Sequence, residues 1–70
     1  MTIDFNEANL ISIYRRNSRS ETIEEIMEMM NYLSPSENEL RILAESSIRK
    51  LKAMSNTEFE NSEFFSDFEI

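Results

Sequence analysis

The residues available for chemistry in this 70-residue chain are carboxylates, lysines, serines and two tyrosines, because histidine, cysteine and glycine are absent. Histidine is the commonest general base, and the cysteine thiolate is a strong nucleophile. Phosphate-cradling loops need the backbone freedom of glycine, and a chain without cysteine has neither a disulfide nor a Cys-ligated zinc site. We therefore predict a protein that is not an enzyme and that uses no metal or other cofactor.

The densest group of ionisable side chains is acidic and has helical spacing: Glu21, Glu24, Glu25 and Glu28. Like charges at this spacing repel each other by roughly 0.2–0.5 kcal/mol per pair. The group is interpretable as a hard-cation site, as a surface that meets a basic partner or imitates phosphates, or as a solvated helix face, which is the simplest reading. These four glutamates are candidate partner-binding residues. Met29 is a fifth candidate, because the helical pattern places it off the apolar stripe and exposed.

A basic group, Arg15, Arg16 and Arg19, lies between the first two predicted helices. These arginines could grip phosphate at a helix start. Alternatively, they complement the end of the first helix and pair with nearby glutamates, and we favour this second interpretation. The chain carries a net charge of −7, whereas DNA binding depends on a net positive footprint. We expect a protein partner and no nucleic acid.

Four segments with a helical period must position these groups, and each begins with a capping signal. The pattern predicts a first helix capped by Asn6, with Phe5 and Leu10 as a hydrophobic staple and Asn17 as a left-handed terminator. Its predicted apolar face is Leu10, Ile11, Ile13 and Tyr14. Ser18 with Glu21 is predicted to cap the second helix, whose apolar stripe is Ile23, Ile26, Met27, Met30 and Leu33.

The third and longest helix is predicted to begin at Pro35, with Ser34 as its cap and Glu37 closing a capping box; Ser36 offers a second register. Its stripe is Leu40, Leu43, Ala44, Ile48, Leu51 and Met54. Ser55 with Glu58 and Met54 with Phe59 predict a short fourth helix that ends near Ser62. The expected fold is all-α: a three-helix bundle over residues 1–62 with a short fourth helical turn, followed by a mobile, partly disordered acidic-aromatic tail over residues 63–70.

Charge is unevenly distributed along the chain, with −6 over residues 20–39 and +3 over residues 40–54. We expect the second and third helices to pack with these rims paired, although exposed pairs contribute only about 0–1 kcal/mol each. The tail contains the last candidate partner-binding residues, Phe64, Phe65 and Phe68. They either pack over the bundle as a lid, which we favour for Phe64 or Phe65, or stay mobile and insert into a partner groove.

The N-terminal residues lack the features of a signal peptide, and no apolar run approaches the ~20 residues that span a bilayer. We expect a cytoplasmic protein with no membrane association. A monomer is favoured, and a dimer that covers leftover apolar surface remains open.

A set of short motifs spans nearly the whole chain: Asn9-Leu10-Ile11-Ser12-Ile13-Tyr14, Ser18-Arg19, Leu43-Ala44-Glu45-Ser46, Lys50-Leu51, Met54, Glu58-Phe59 and Asp67-Phe68-Glu69. As a set they resemble the transposon-transfer assisting protein family, which consists of small proteins of conjugative transposons. Arg15-Arg16 departs from that family's pattern. The resemblance implies an all-helical domain and a role connected with a mobile element.

We expect an accessory, non-catalytic interaction protein of a conjugative transposon. The alternatives are an acidic DNA mimic that occupies a host DNA-binding factor and a small DNA-binding regulator.

Overall fold

The structure, a computed structural model, describes residues 3–61, and every regular element in that range is a helix. The helices are α1 (Phe5–Tyr14), α2 (Arg19–Met30), α3 (Asn38–Ala53) and α4 (Asn56–Asn61). The first three helices pack against one another, and α4 packs against α2. The predicted three-helix bundle with a short fourth helix is confirmed, as is α3 as the longest helix. The predicted tail, with Phe64, Phe65 and Phe68, lies outside the described residues.

The core draws on all four helices. Its buried apolar side chains are Leu10, Ile11, Ile23, Ile26, Ala44, Ile48, Leu51 and Phe59. Burying each of the larger side chains stabilises the fold by about 1.5–3 kcal/mol. Phe59 is only 1% exposed, so α4 is part of the bundle. Ile13 is predicted to lie on the apolar face of α1, but it is 65% exposed, whereas Leu10 and Ile11 are buried and Tyr14 packs partly buried against the core.

The start of α1 differs from the prediction. Asp4 is the N-cap: its carboxylate accepts a hydrogen bond from the Glu7 N–H at 2.8 Å, and the Glu7 carboxylate accepts one from the Asp4 N–H at 3.0 Å. This reciprocal box satisfies two backbone donors at once, whereas Asn6 as a cap would leave the acidic pair unused. Phe5 is therefore the first helical residue, and at 60% exposure it forms no hydrophobic staple.

The connection from α1 to α2 also differs from the prediction. Arg15 leaves the helix in an extended conformation, with φ −62° and ψ 134°. No residue in the described range has a positive φ, so the prediction of Asn17 as a left-handed terminator is wrong. Instead, the buried hydroxyl of Thr22 accepts a hydrogen bond from the Arg16 N–H and donates one to the Ser18 carbonyl, both at 2.9 Å. This side chain orders the loop without any left-handed residue.

The capping predictions for the later helices are partly confirmed. Ser18 caps α2 by accepting a hydrogen bond from the Glu21 N–H at 3.1 Å. Ser55 and Glu58 form a reciprocal box at 3.0 and 2.8 Å before α4.

The predicted start of α3 is wrong. The Ser34 N–H does donate to the Glu37 carboxylate at 2.9 Å, but the Glu37 N–H donates to the Ser34 carbonyl at 3.0 Å. The two residues thus close a separate turn, and α3 begins only at Asn38. Because Ser34 and Glu37 bond to each other within this turn, they do not cap α3.

The predicted pairing of charged rims between α2 and α3 is wrong. Within residues 3–61, no ion pair joins a glutamate of α2 to a cation of α3. Glu25 pairs with Arg16 at 3.1 Å, and Lys50 of α3 pairs with Glu7 of α1 at 2.6 Å. Apolar packing joins the two helices, together with a hydrogen bond from Arg19 of α2 to the Leu51 carbonyl of α3.

Candidate functional site

The acidic face of α2 contains three of the four glutamates that the helical spacing predicts for it. Glu21, Glu24 and Glu28 are exposed, and none has an ion-pair partner among the described residues. Glu25 is only partly exposed and is engaged by Arg16. The structure therefore brings three of the four candidate glutamates together on one solvent-facing side of the helix. In the same part of the chain, no group of three or more acidic side chains is arranged to hold a metal ion.

The methionines of α2 exchange the roles that the sequence predicts for them. Met29, predicted to be exposed, is partly buried against the core, as is Met30. Met27, predicted to belong to the core, is 47% exposed. The reason is that α2 contacts α1 on one side and α3 on the other. The side of α2 that faces these two helices includes Met29 but not Met27. Met27 is therefore the more accessible of these two side chains.

An open groove runs between the outer edges of α2 and α3, and we call it the α2–α3 groove. Its lining residues are Met27, Met30, Glu45, Ile48, Arg49 and Lys52. Its volume of about 410 Å³ lies within the range of small-ligand sites, about 300–1,000 Å³. The floor is apolar, the α3 edge carries two cations, and the exposed glutamates of α2 lie beyond Met27. The helical pattern does not predict this groove, because it places Met27 in the core.

The three arginines between α1 and α2 are engaged within the fold. Arg15 lies over the Phe59 ring, with its guanidinium carbon 4.5 Å from the ring centroid, a distance at which cation and ring attract each other. Arg16 pairs with Glu25. Arg19 donates to the Leu51 carbonyl at 2.9 Å.

Arg19 also donates to the Asn56 side chain, again at 2.9 Å. It thereby satisfies a carbonyl at the end of α3 and ties α4 to the start of α2. The prediction that these arginines pair inside the fold is confirmed for Arg16 and Glu25. The contacts of Arg15 and Arg19 with α3 and α4 were not anticipated.

A buried charged junction joins α1 to α3, and the sequence pattern did not predict it. Glu7 is 3% exposed, and its carboxylate accepts hydrogen bonds from Lys50 Nζ at 2.6 Å and from the Ser46 hydroxyl. Burial by itself raises the pKa of Glu7. The hydrogen bonds from Lys50, Ser46 and the Asp4 backbone outweigh that effect and hold the pKa below its usual value. One signal was present: Glu7 lies three and four residues before the buried Leu10 and Ile11, on the same helical face.

These features define a small all-helical domain with an acidic helix face, an open apolar groove and, between α1 and α2, three arginines engaged in internal contacts. The chain belongs to the family described as "Putative transposon-transfer assisting protein", whose model matches residues 1–66. The resemblance noted in the sequence is thereby confirmed, although Asp67-Phe68-Glu69 lies beyond the match. The family description assigns an accessory role in transposon transfer. No curated protein and no solved structure matches the chain.

Within the described residues, no helix combines the length and the apolar character that crossing a bilayer requires.

Proposed function

We propose that this protein serves the transfer of a conjugative transposon as a non-catalytic interaction module that binds another protein through the acidic face of α2. The observation that carries the proposal is the contrast between Glu25, which is paired with Arg16, and the exposed Glu21, Glu24 and Glu28, which have no cationic partner among residues 3–61. Like charges gathered on one face repel one another. A basic partner surface would relieve that repulsion and would be steered towards it.

The internal contacts of the arginines favour a protein partner over DNA as the target. Arg15 stacks on Phe59, Arg16 pairs with Glu25, and Arg19 holds the end of α3. A DNA-binding regulator built on these three arginines would need them available for phosphates, and here such binding would compete with contacts that stabilise the fold.

The dimensions of the acidic face favour the same reading over DNA mimicry. Glu21 to Glu28 spans about 10 Å along the helix axis, at 1.5 Å per residue. A duplex presents one charge per ~1.7 Å along its axis, on two strands. Three free carboxylates on a single helix provide one short row, which suits a local basic patch better than a protein that normally encloses duplex DNA.

Charge removal in cells that carry the transposon tests the proposal. Glu24→Gln with Glu28→Gln should lower the transfer frequency at least tenfold and abolish cross-linking to a transfer protein encoded by the element. Glu39→Gln with Glu60→Gln is the matched control, because both residues are exposed glutamates outside α2 and the same charge is removed. Equal transfer by the two double variants, at equal protein levels, would overturn the proposal.

A further inference from the structure

The α2–α3 groove differs in charge from two other depressions on the described surface. The depression between the start of α1 and α3 is lined by three carboxylates, Asp4, Glu7 and Glu39. A third depression, beside α2, contains Glu24, Glu25 and Glu28. The α2–α3 groove instead carries Arg49 and Lys52 against a single Glu45. It is therefore the depression, among these three, that suits an acidic and apolar occupant.

The chain itself provides a segment of that chemistry. Residues 62–70, Ser-Glu-Phe-Phe-Ser-Asp-Phe-Glu-Ile, contain three acidic and no basic side chains, together with three phenylalanines. The family match continues to residue 66 and so includes Phe64 and Phe65. Aromatic rings bury much apolar area, and methionine side chains adapt to them with favourable sulfur–aromatic contacts.

The groove lies within reach of this segment. The segment begins directly after α4, and α4 ends at Asn61 and packs against α2. Nine residues extend to about 30 Å at ~3.3–3.6 Å each, whereas the longest dimension of the protein is 34 Å. A tether of this length holds the segment near the groove at a local concentration on the order of millimolar, so that weak contacts suffice to keep the groove occupied.

We propose that the C-terminal segment, residues 62–70, binds in the α2–α3 groove. Its phenylalanine rings cover the apolar floor formed by Met27, Met30 and Ile48, and its carboxylates lie towards Arg49 and Lys52. The segment thereby shields the exposed part of Met27 and neutralises the basic edge of α3. This intramolecular contact is independent of the partner invoked above, and it is testable on the purified full-length chain alone.

Methionine-methyl NMR on the full-length chain tests the contact, because phenylalanine rings shift the signals of methyl groups that they cover. The triple variant Phe64→Ser, Phe65→Ser, Phe68→Ser should move the Met27 and Met30 methyl signals and leave that of Met29, which does not line the groove. Phe5→Ser is the matched control, since Phe5 is an exposed phenylalanine outside the groove.

A second variant tests the charge component without altering the segment. Arg49→Glu with Lys52→Glu should reproduce the methyl shifts of the triple variant, because the reversed edge repels the carboxylates. Both side chains are exposed, so the fold should survive, and circular dichroism checks this. Met27 and Met30 signals that move no more in either variant than in Phe5→Ser would overturn the proposal, whether or not a partner protein binds α2.

Discussion

The cations on the two edges of α3 differ in whether they form an ion pair within the fold. On the edge facing α1, Lys50 is paired with the buried Glu7 at 2.6 Å. On the edge facing α2, Arg49 and Lys52 border an open groove, and neither has an ion-pair partner among residues 3–61. The same helix thus carries one charge inside the fold and others left for solvent or a ligand. Charge at the first edge contributes to folding, and charge at the second is available for binding.

The largest expected difference between the edges is in stability. Lys50→Met strands the Glu7 carboxylate in a buried site, and removing one partner of such a pair costs about 3 kcal/mol. Lys52→Met, on the groove edge, should cost less than about 1 kcal/mol, which is the loss of a cation near a helix C-terminus. Urea unfolding at pH 7 measures both, and equal stability of the two variants would contradict the contrast.

The pH dependence of unfolding should identify Glu7 as the group responsible. Its folded-state pKa is lowered relative to 4.5, so its contribution to stability is fully present above that value and is lost as pH falls through the lowered pKa. The free-energy difference between the native chain and Glu7→Gln should therefore shrink as pH falls below about 4.5.

Glu24→Gln, on the exposed face of α2, controls for the loss of one negative charge. An unfolding free-energy difference for Glu7→Gln that stays constant from pH 7 to pH 3 would show that the Lys50 pair does not act as described.

Ser47 lies between the two edges, and its side chain sharpens the comparison. It is fully buried, and within the described residues its hydroxyl has no hydrogen-bond partner. An unpaired buried hydroxyl is costly, and alanine is the better helix former. Ser47→Ala should therefore stabilise the protein by about 1 kcal/mol, raising its thermal midpoint. Ser46→Ala is the control with the opposite expected sign, because Ser46 donates to Glu7.

The smallest effect is expected on the groove floor. Met27 is 47% exposed, so Met27→Gln should change the free energy of unfolding by less than about 0.5 kcal/mol. Ile26→Ala, one residue earlier and fully buried, should cost about 2–5 kcal/mol. Chemical unfolding of both variants makes the comparison, and a large loss for Met27→Gln would mean that the groove is part of the structural core.

Much of the fold was predictable because its signals are local. Ser18, Ser55 and Glu58 act within one helical turn, and apolar spacing predicted all four helices. The errors also arose locally, where two signals competed. Asp4 with Glu7 displaced Asn6 as the cap, and Ser34 with Glu37 closed a turn where a helix start was predicted.

The candidate site was less predictable than the fold. The exposed glutamates of α2 followed from helical spacing alone. The exchange of Met27 and Met29 did not, because their exposure depends on the side from which α1 and α3 approach α2. The roles of Phe64, Phe65 and Phe68 remain predictions.

The sequence by itself determined the class of this protein: an acidic, all-helical domain of the transposon-transfer family. Periodicity, capping and composition act over a few residues and need no knowledge of neighbouring helices. Only the tertiary structure decided which charges are paired. Glu7 and Lys50 lie 43 positions apart, and their contact depends on how α1 and α3 are packed. That packing leaves Arg49 and Lys52 beside an open groove and takes Lys50, between them in the sequence, into the fold.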